Sequence, residues 1–351
     1  MGNHNYGTGP ARMLRQIRHS AQRDPNRIQH ILAMLRDSMQ SWVRLKTRRV
    51  LVGRPMVGIG MIEHIGDIVS AQPIAKKVRS LYPDADIVWV VNKKYRDLLV
   101  NDRDINHIRT VKCLTEYMML WRSGVFDHVV DLHINGRMCL KCCIPLTKSG
   151  PGEELNLENY YLNGRSLLEV AAISGGLEVM DESPHLEQSE PASLMVDSLL
   201  LPQNFVVIHR FSNEKERNWS EGGWDEIIKW LTQKALIAVV EVGEEPKIYI
   251  AGPGNAASLP KMKVSETAEI FRRAMFFIGI DSGPAHIANA VSCPGVIIMG
   301  SYRNFDSYNP FSGDYRNGGA TIVRASDGPA RNVEPSAVLK AITAYCDQPR
   351  K

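Results

Sequence analysis

Asp281, Ser282 and Gly283 close an apolar run that begins at Met275, and Pro284 and His286 come directly after them. The run has the length and the β-branched, aromatic character of a buried strand. Pro284 suits the first position of a helix, where its missing N–H costs nothing. Free amides at such a helix start, backed by the positive end of its dipole, form a site for an anion such as a pyrophosphate. Gly283 lets the backbone come close, Ser282 adds a hydroxyl, and His286 faces the same turn. An ordinary βαβ turn with an Asp/Ser cap satisfies the same pattern, so these residues alone leave both readings open.

Other residues with chemical potential read more plainly. Asp84-Ala85-Asp86 and Asp102-Arg103-Asp104 spell the Asp-x-Asp of metal-dependent sugar transfer, yet one falls in a turn and the other in a polar loop, where turn chemistry accounts for both. Cys139, Cys142 and Cys143, with His133 nearby, contain a C-x-x-C that no second pair matches, so no metal is expected. The Gly58-x-Gly60 repeat is too incomplete for a dinucleotide fingerprint.

The 351 residues, 44% of them hydrophobic, suffice for two α/β domains or one large one. No apolar run reaches the roughly 18 residues of a bilayer span, and the N-terminus lacks a signal core, so a cytoplasmic location is expected. Six cysteines without regular spacing fit reduced thiols. The net charge of +4 is unevenly spread. Residues 1–49 hold ten Lys/Arg and two Asp/Glu, a net of +8, which leaves 32 basic against 36 acidic residues, or −4, for the rest. A basic nucleic-acid groove across the body is thereby disfavoured.

The elements that must position these residues follow from periodicity. Asp24-Pro25 opens a helix with Ile28, Ile31, Leu32, Leu35, Met39, Trp42 and Val43 at helical spacing and Arg27, Arg36, Arg44 and Lys46 opposite. It fits either an anionic membrane surface or, as such stripes more often do, the body or a second subunit. Residues 57–67 give a strand with a glycine turn, residues 68–81 one helix stopped by Tyr82-Pro83, and residues 87–91 a second strand, a βαβ unit with parallel pairing. Strands at 108–111 and 125–132 follow, then loop-rich segments at 148–165 and 174–191 around a helix at 167–173. A second alternation runs through strands at 205–209, 236–242 and 275–280 and helices at 224–232 and 267–274. Glu334-Pro335-Ser336 opens a last helix. Two such series predict two doubly wound domains with ligands at the carboxyl ends of their strands.

In that frame, the segment HIGDIVSAQPIAKKVRSLYPDADIVWVV at 64–91 and the stretch at 275–300 together resemble glycosyltransferase family 9, typified by the lipopolysaccharide heptosyltransferases. Phe126 to His133 is similar to the family's Asp-Leu-x-x-x-Asp-Leu strand, Arg217-Asn218-Trp219 to its Lys-x-Trp, and Leu259-Pro260-Lys261-Met262 to a donor-side loop. The likeness keeps its order over residues 57–345. It implies an α/β GT-B fold, two Rossmann-like domains facing a central cleft: an N-terminal extension at 1–55, an acceptor domain at 56–190 and a nucleotide-sugar domain at 191–351.

The resemblance also implies inverting transfer without a metal or cofactor, from a nucleotide sugar, most plausibly ADP-heptose, to a hydroxyl of a lipopolysaccharide-core or other cell-envelope saccharide. A protein acceptor of the autotransporter type and a catalytically silent sugar-nucleotide-binding module are the alternatives. Contact with the inner membrane would run through the basic N-terminal helix, and nucleic acid is not an expected partner. Asp67, beside Gly66, takes the place of the base, although an aspartate there also caps a helix. Arg217 stands where the family has lysine at the departing diphosphate, with Lys215 as rival and Ser212 on the same loop. Asp281, Ser282, Gly283 and His286 fall to the donor phosphates and sugar, Glu244 or Glu245 to the ribose, and Met262 to the base.

Overall fold

A computed structural model describes residues 25–160, 162–243, 250–251, 262–301 and 308–346. Helix α1 (Pro25–Val52) precedes β1 (Met56–Gly60), α2 (Ile65–Ser70), α3 (Pro73–Leu81), β2 (Asp86–Asn92), β3 (His107–Val111), α4 (Leu114–Trp121) and β4 (His128–Asp131). A short hairpin, β5 (Met138–Cys139) and β6 (Ile144–Pro145), leads to α5 (Leu167–Ser174) and α6 (Glu190–Asp197). The second series is β7 (Phe205–His209), α7 (Glu221–Lys229), β8 (Ala238–Glu241), β9 (Ile250–Ala251), α8 (Val264–Arg273), β10 (Phe277–Ile280), α9 (Gly283–Ala290), β11 (Gly295–Met299), β12 (Ala320–Arg324) and α10 (Pro335–Cys346).

These elements build two sheets. The first has the order β3-β2-β1-β4 and is parallel throughout; the second has the order β12-β11-β10-β7-β8-β9, parallel except for β9. Strands covered on both faces read as unbroken apolar runs, as β11 does and as β7 does up to His209, with every residue of both buried. Both orders reverse direction once, between β1 and β4 in the first sheet and between β7 and β10 in the second. At such a reversal the loops leaving two adjacent strands diverge and open a crevice at their carboxyl ends. Gly66 and Asp67 follow β1, Ser212 and Arg217 follow β7, and Asp281 follows β10.

Three sequence expectations change here. The single helix expected over 68–81 is two, because Pro73 lacks an N–H and opens α3 at its first turn. The Gly58-x-Gly60 pair makes room for aromatic rings: a Cβ on Gly60 would stand 2.1 Å from the Tyr117 hydroxyl, and one on Gly58 would meet Phe126 and Trp121. Helix α1 is docked on the first sheet's flank, through a face that shares Ile31 and Leu35 with the expected stripe but is rotated from it. Ile31, Met34, Ser38, Ser41 and Leu45 are buried, while Leu32, Met39, Trp42 and Val43 face outward. Ion pairs set this rotation: Arg48 grips Asp86 with two hydrogen bonds of 2.6 and 2.7 Å, Arg49 pairs with Asp127, and Asp37 with Lys112. Asp24, the expected cap, lies outside the described residues. Among those described, no helix is long and apolar enough to cross a membrane.

The two halves meet at α2 and α9. A Cβ on Gly66 would stand 2.9 Å from His286 Cδ2, and one on Gly283 would stand 3.0 Å from Ile65 Cβ, so the glycines permit the approach. Ser70 Oγ and His286 Nδ1 share a hydrogen bond of 2.8 Å across it. The linker reinforces the contact where Leu167 N donates to Pro310 O and Ser183 Oγ to Asp314.

Candidate active site

Asp67 lies in the first turn of α2 with its side chain 17% exposed. Its Oδ2 accepts from Arg137 Nη2 at 2.8 Å and from the His64 backbone N–H at 3.2 Å, so the residue both caps its helix and holds a charged partner. Burial pulls its pKa up, but the Arg137 guanidinium and His64 outweigh that and hold the carboxyl well below the usual range. It is therefore ionised at neutral pH. Arg137 comes from the segment just before β5 and also donates to the Glu63 carbonyl at 3.4 Å. Nothing in the motifs singled it out.

A second guanidinium–carboxylate pair stands in the other half. Arg217 Nη1 reaches Asp281 Oδ2 at 3.1 Å, and Arg217 Nε donates to Glu214 Oε2 at 2.9 Å. Asp281 sits beside it and raises its pKa, so Arg217 is a permanent cation. The chain reversal between β7 and β10 explains this meeting of residues 64 positions apart. Ser282 starts α9 with an extended backbone and donates its hydroxyl to the Ile280 carbonyl at 3.1 Å, which leaves its oxygen lone pairs toward the turn.

His286 is buried on α9 against α2. Desolvation lowers its pKa to about 4, so it is a neutral imidazole that joins the halves and adds no charge to an anion site. Tyr160 and Tyr308, whose rings lie edge to face with centroids 6.5 Å apart, feel the charges of Asp67, Asp281 and Arg217 together. Burial pushes the Tyr160 hydroxyl up to about 12. These groups form one enclosed cluster between the two reversals. Both tyrosines lie in irregular segments, so no periodic pattern marks them.

The remaining expected residues divide. Gly66 and Gly283 line the contact between halves. Ser212 shapes its own loop: its N–H donates to Asn218 Oδ1 at 2.6 Å and its hydroxyl accepts from Glu214 N at 3.2 Å. Lys215 is exposed beside Arg217. Met262 is partly buried against the main core. Glu244 and Glu245 lie outside the described residues, as do Leu259, Pro260 and Lys261. Asp86 is held by Arg48, and Asp102 accepts from Gln72 and from Asp104 N in a turn, so neither Asp-x-Asp faces the crevice as a metal bridge. His133 spends both nitrogens: Nε2 accepts from Ile62 N at 3.2 Å, which leaves Nδ1 to donate to Asp131 Oδ1 at 2.9 Å.

Comparison with known proteins places this geometry. The model of glycosyltransferase family 9 (heptosyltransferase) matches residues 165–315. Lipopolysaccharide heptosyltransferase 3 of Escherichia coli is 20% identical over 297 residues, covering 72% of this chain and 87% of that protein. The E. coli heptosyltransferase WaaC, solved with ADP, superposes with a TM-score of 0.55 at 14% identity, over 83% of this chain and 99% of its own. TibC of enterotoxigenic E. coli, described as an iron-containing dodecameric glycosyltransferase and also solved with ADP-D-beta-D-heptose, gives 0.55 at 16% identity over 83% and 76%. The fold is thus the GT-B fold of two facing α/β halves, and a protein of this class with this match is a glycosyltransferase. More narrowly, the chain is similar to the family 9 heptosyltransferases, whose family model it matches over residues 165–315.

Proposed function

We propose that the chain transfers a heptose from ADP-heptose to a hydroxyl of a cell-envelope saccharide, with inversion and without a metal in the reaction, using residues 56–190 for the acceptor and 191–351 for the donor. The observation that carries this reading is the enclosed cluster in which an ionised Asp67 faces the Arg217–Asp281 pair and the start of α9. An acceptor hydroxyl hydrogen-bonded to Asp67 attacks the anomeric carbon; Asp67 takes the proton as the bond to the departing ADP breaks. The diphosphate leaves toward the α9 amides and Arg217. Asp281 is tied to Arg217 and sits under the helix start, which leaves one carboxylate for the sugar and favours a single displacement. Arg137 orients Asp67 and lowers its basicity, so acceptor binding must loosen that pair for the proton to move. The WaaC and TibC complexes support an adenine nucleotide donor.

Calorimetry with ADP-heptose and other nucleotide sugars, followed by ADP release with candidate saccharide acceptors in chelator, tests the proposal. Asp67→Asn should keep donor affinity and lose about 10²- to 10⁴-fold in transfer, with the product anomer read by NMR. Unchanged transfer in Asp67→Asn refutes the base. Donor binding with no saccharide acceptor, but with labelling of a protein, moves the acceptor to the autotransporter class; binding with no turnover at all marks a silent module.

A further inference from the structure

We propose that His30, Cys113, Cys139 and Cys142 bind one structural Zn²⁺ that pins α1 and the β5–β6 hairpin to the first sheet. The four residues come from three distant parts of the chain. His30 lies in the second turn of α1, Cys113 is the residue before α4, and Cys139 and Cys142 bracket the hairpin turn. His30, Cys113 and Cys142 place their ligand atoms within 4.8 Å of one another. The Cys113 and Cys142 sulfurs are 3.9 Å apart, against about 3.8 Å for two thiolates on a tetrahedral zinc with bonds near 2.3 Å. Cys139 is buried in the same cluster, close enough to interact with both of those thiols from the hairpin.

Packing alone does not account for this group. Buried cysteines commonly act as small apolar side chains, and all three are buried in the core that docks α1. His30 Nε2, however, is buried with no hydrogen-bond partner, a state that costs about 1–3 kcal/mol for a polar atom. A metal resolves it, because a neutral imidazole nitrogen is a good zinc ligand and three thiolates complete a closed set of four. The backbone is shaped for it as well. Cys143 N donates to Cys139 O at 2.7 Å and Cys143 adopts φ +54°, closing Cys139-Leu140-Lys141-Cys142 into one tight turn with both sulfurs inward. Lys112 and Lys141 lie close enough to His30 to offset the single negative charge left by three thiolates and Zn²⁺. Cys143 is exposed and His133 is fully engaged, so the ligands differ from the Cys139/Cys142/Cys143/His133 grouping that spacing alone suggests.

Four protein ligands leave no open position, so the ion supports structure and leaves the transfer chemistry to other residues. Its location gives that support a target. Arg137, which grips Asp67, stands two residues before Cys139, and the metal fixes the strand that presents it.

The test is metal analysis of the full chain, made without a histidine tag in zinc-supplemented medium. About one zinc per chain is expected, lost in Cys142→Ser and His30→Ala and kept in Cys143→Ser, the exposed neighbour. Since ligand variants can fail to fold, the wild-type chain is also exchanged into Co²⁺, where thiolate-to-cobalt charge transfer and the strong visible bands of a tetrahedral site are expected. A wild-type chain with no stoichiometric metal and no such cobalt spectrum overturns the site. Zinc that survives Cys142→Ser in a folded variant overturns these ligands, and iron bound with the same cysteine dependence overturns the choice of ion.

Discussion

Replacing Arg137 by leucine isolates what the buried pair does for Asp67. The two groups are 2.8 Å apart and each is less than one-fifth exposed, so their attraction is little screened. At an effective dielectric near 20, charges about 4 Å apart attract by about 4 kcal/mol, a thousandfold change in the carboxylate's proton affinity. Without the arginine, burial dominates and lifts the Asp67 pKa above its unfolded value. In the wild type the folded pKa lies below the unfolded one, so the pair's stabilisation is present at neutral pH and is lost as pH falls below about 4. In Arg137→Leu the sign reverses, and acid relieves a largely buried charge left with only its His64 contacts. The variant should therefore be less stable than wild type by about 3–5 kcal/mol at neutral pH, with the gap closing toward pH 4. Urea unfolding followed by amide exchange in β1 across that range measures it. Adding Asp67→Asn to Arg137→Leu should recover much of the loss at neutral pH. A pH-independent deficit, or no recovery in the double variant, would refute the electrostatic account and leave Arg137 as packing.

Three further outcomes follow from the same geometry. Glu214→Ala releases one arm of Arg217 from an exposed partner worth about 0–1 kcal/mol, so ADP affinity by calorimetry should rise by at most about fivefold. Gly66→Ala drives a Cβ into His286 and should cost about 1–3 kcal/mol in urea unfolding, with partial recovery when His286→Ala makes room. His286 has a folded pKa of about 4 against 6.5 unfolded, so its stabilisation is complete above pH 6.5 and drains away down to pH 4; that is about 3 kcal/mol of acid sensitivity, which His286→Gln should remove from the unfolding profile.

Much of the fold was legible because fully buried parallel strands announce themselves: β1, β10 and β11 are apolar throughout, and β7 is apolar up to its last residue, His209. The rotation of α1 was not legible, since its stripe is wide and the choice of face rests on Asp37, Arg48 and Arg49 finding partners far along the chain. Arg137, Tyr160 and Tyr308 escaped for a related reason. They sit in short or irregular segments whose position is fixed by long-range contacts, where no period exists to read. The C-x-x-C was a usable signal that the chain turns tightly next to Arg137, but its partners at positions 30 and 113 come together only in the folded molecule.

The charges in the cleft bear on how a donor enters it. Among the described residues, the guanidiniums of Arg137 and Arg217 face the carboxylates of Asp67, Asp281 and Glu214, with Lys215 exposed beside Arg217, so each guanidinium is already paired with a carboxylate. A diphosphate brings more negative charge to guanidiniums that already hold carboxylates. Asp67 and Asp281 are enclosed and held by short contacts, whereas Glu214 is more than half exposed and returns to water at little cost. Exchange of Glu214 for a phosphate oxygen on Arg217, beside amides that carry the positive end of α9, is the low-cost route by which this site becomes an anion site. An arginine suits that exchange, because its planar fork can keep Asp281 on one nitrogen while another turns to the phosphate.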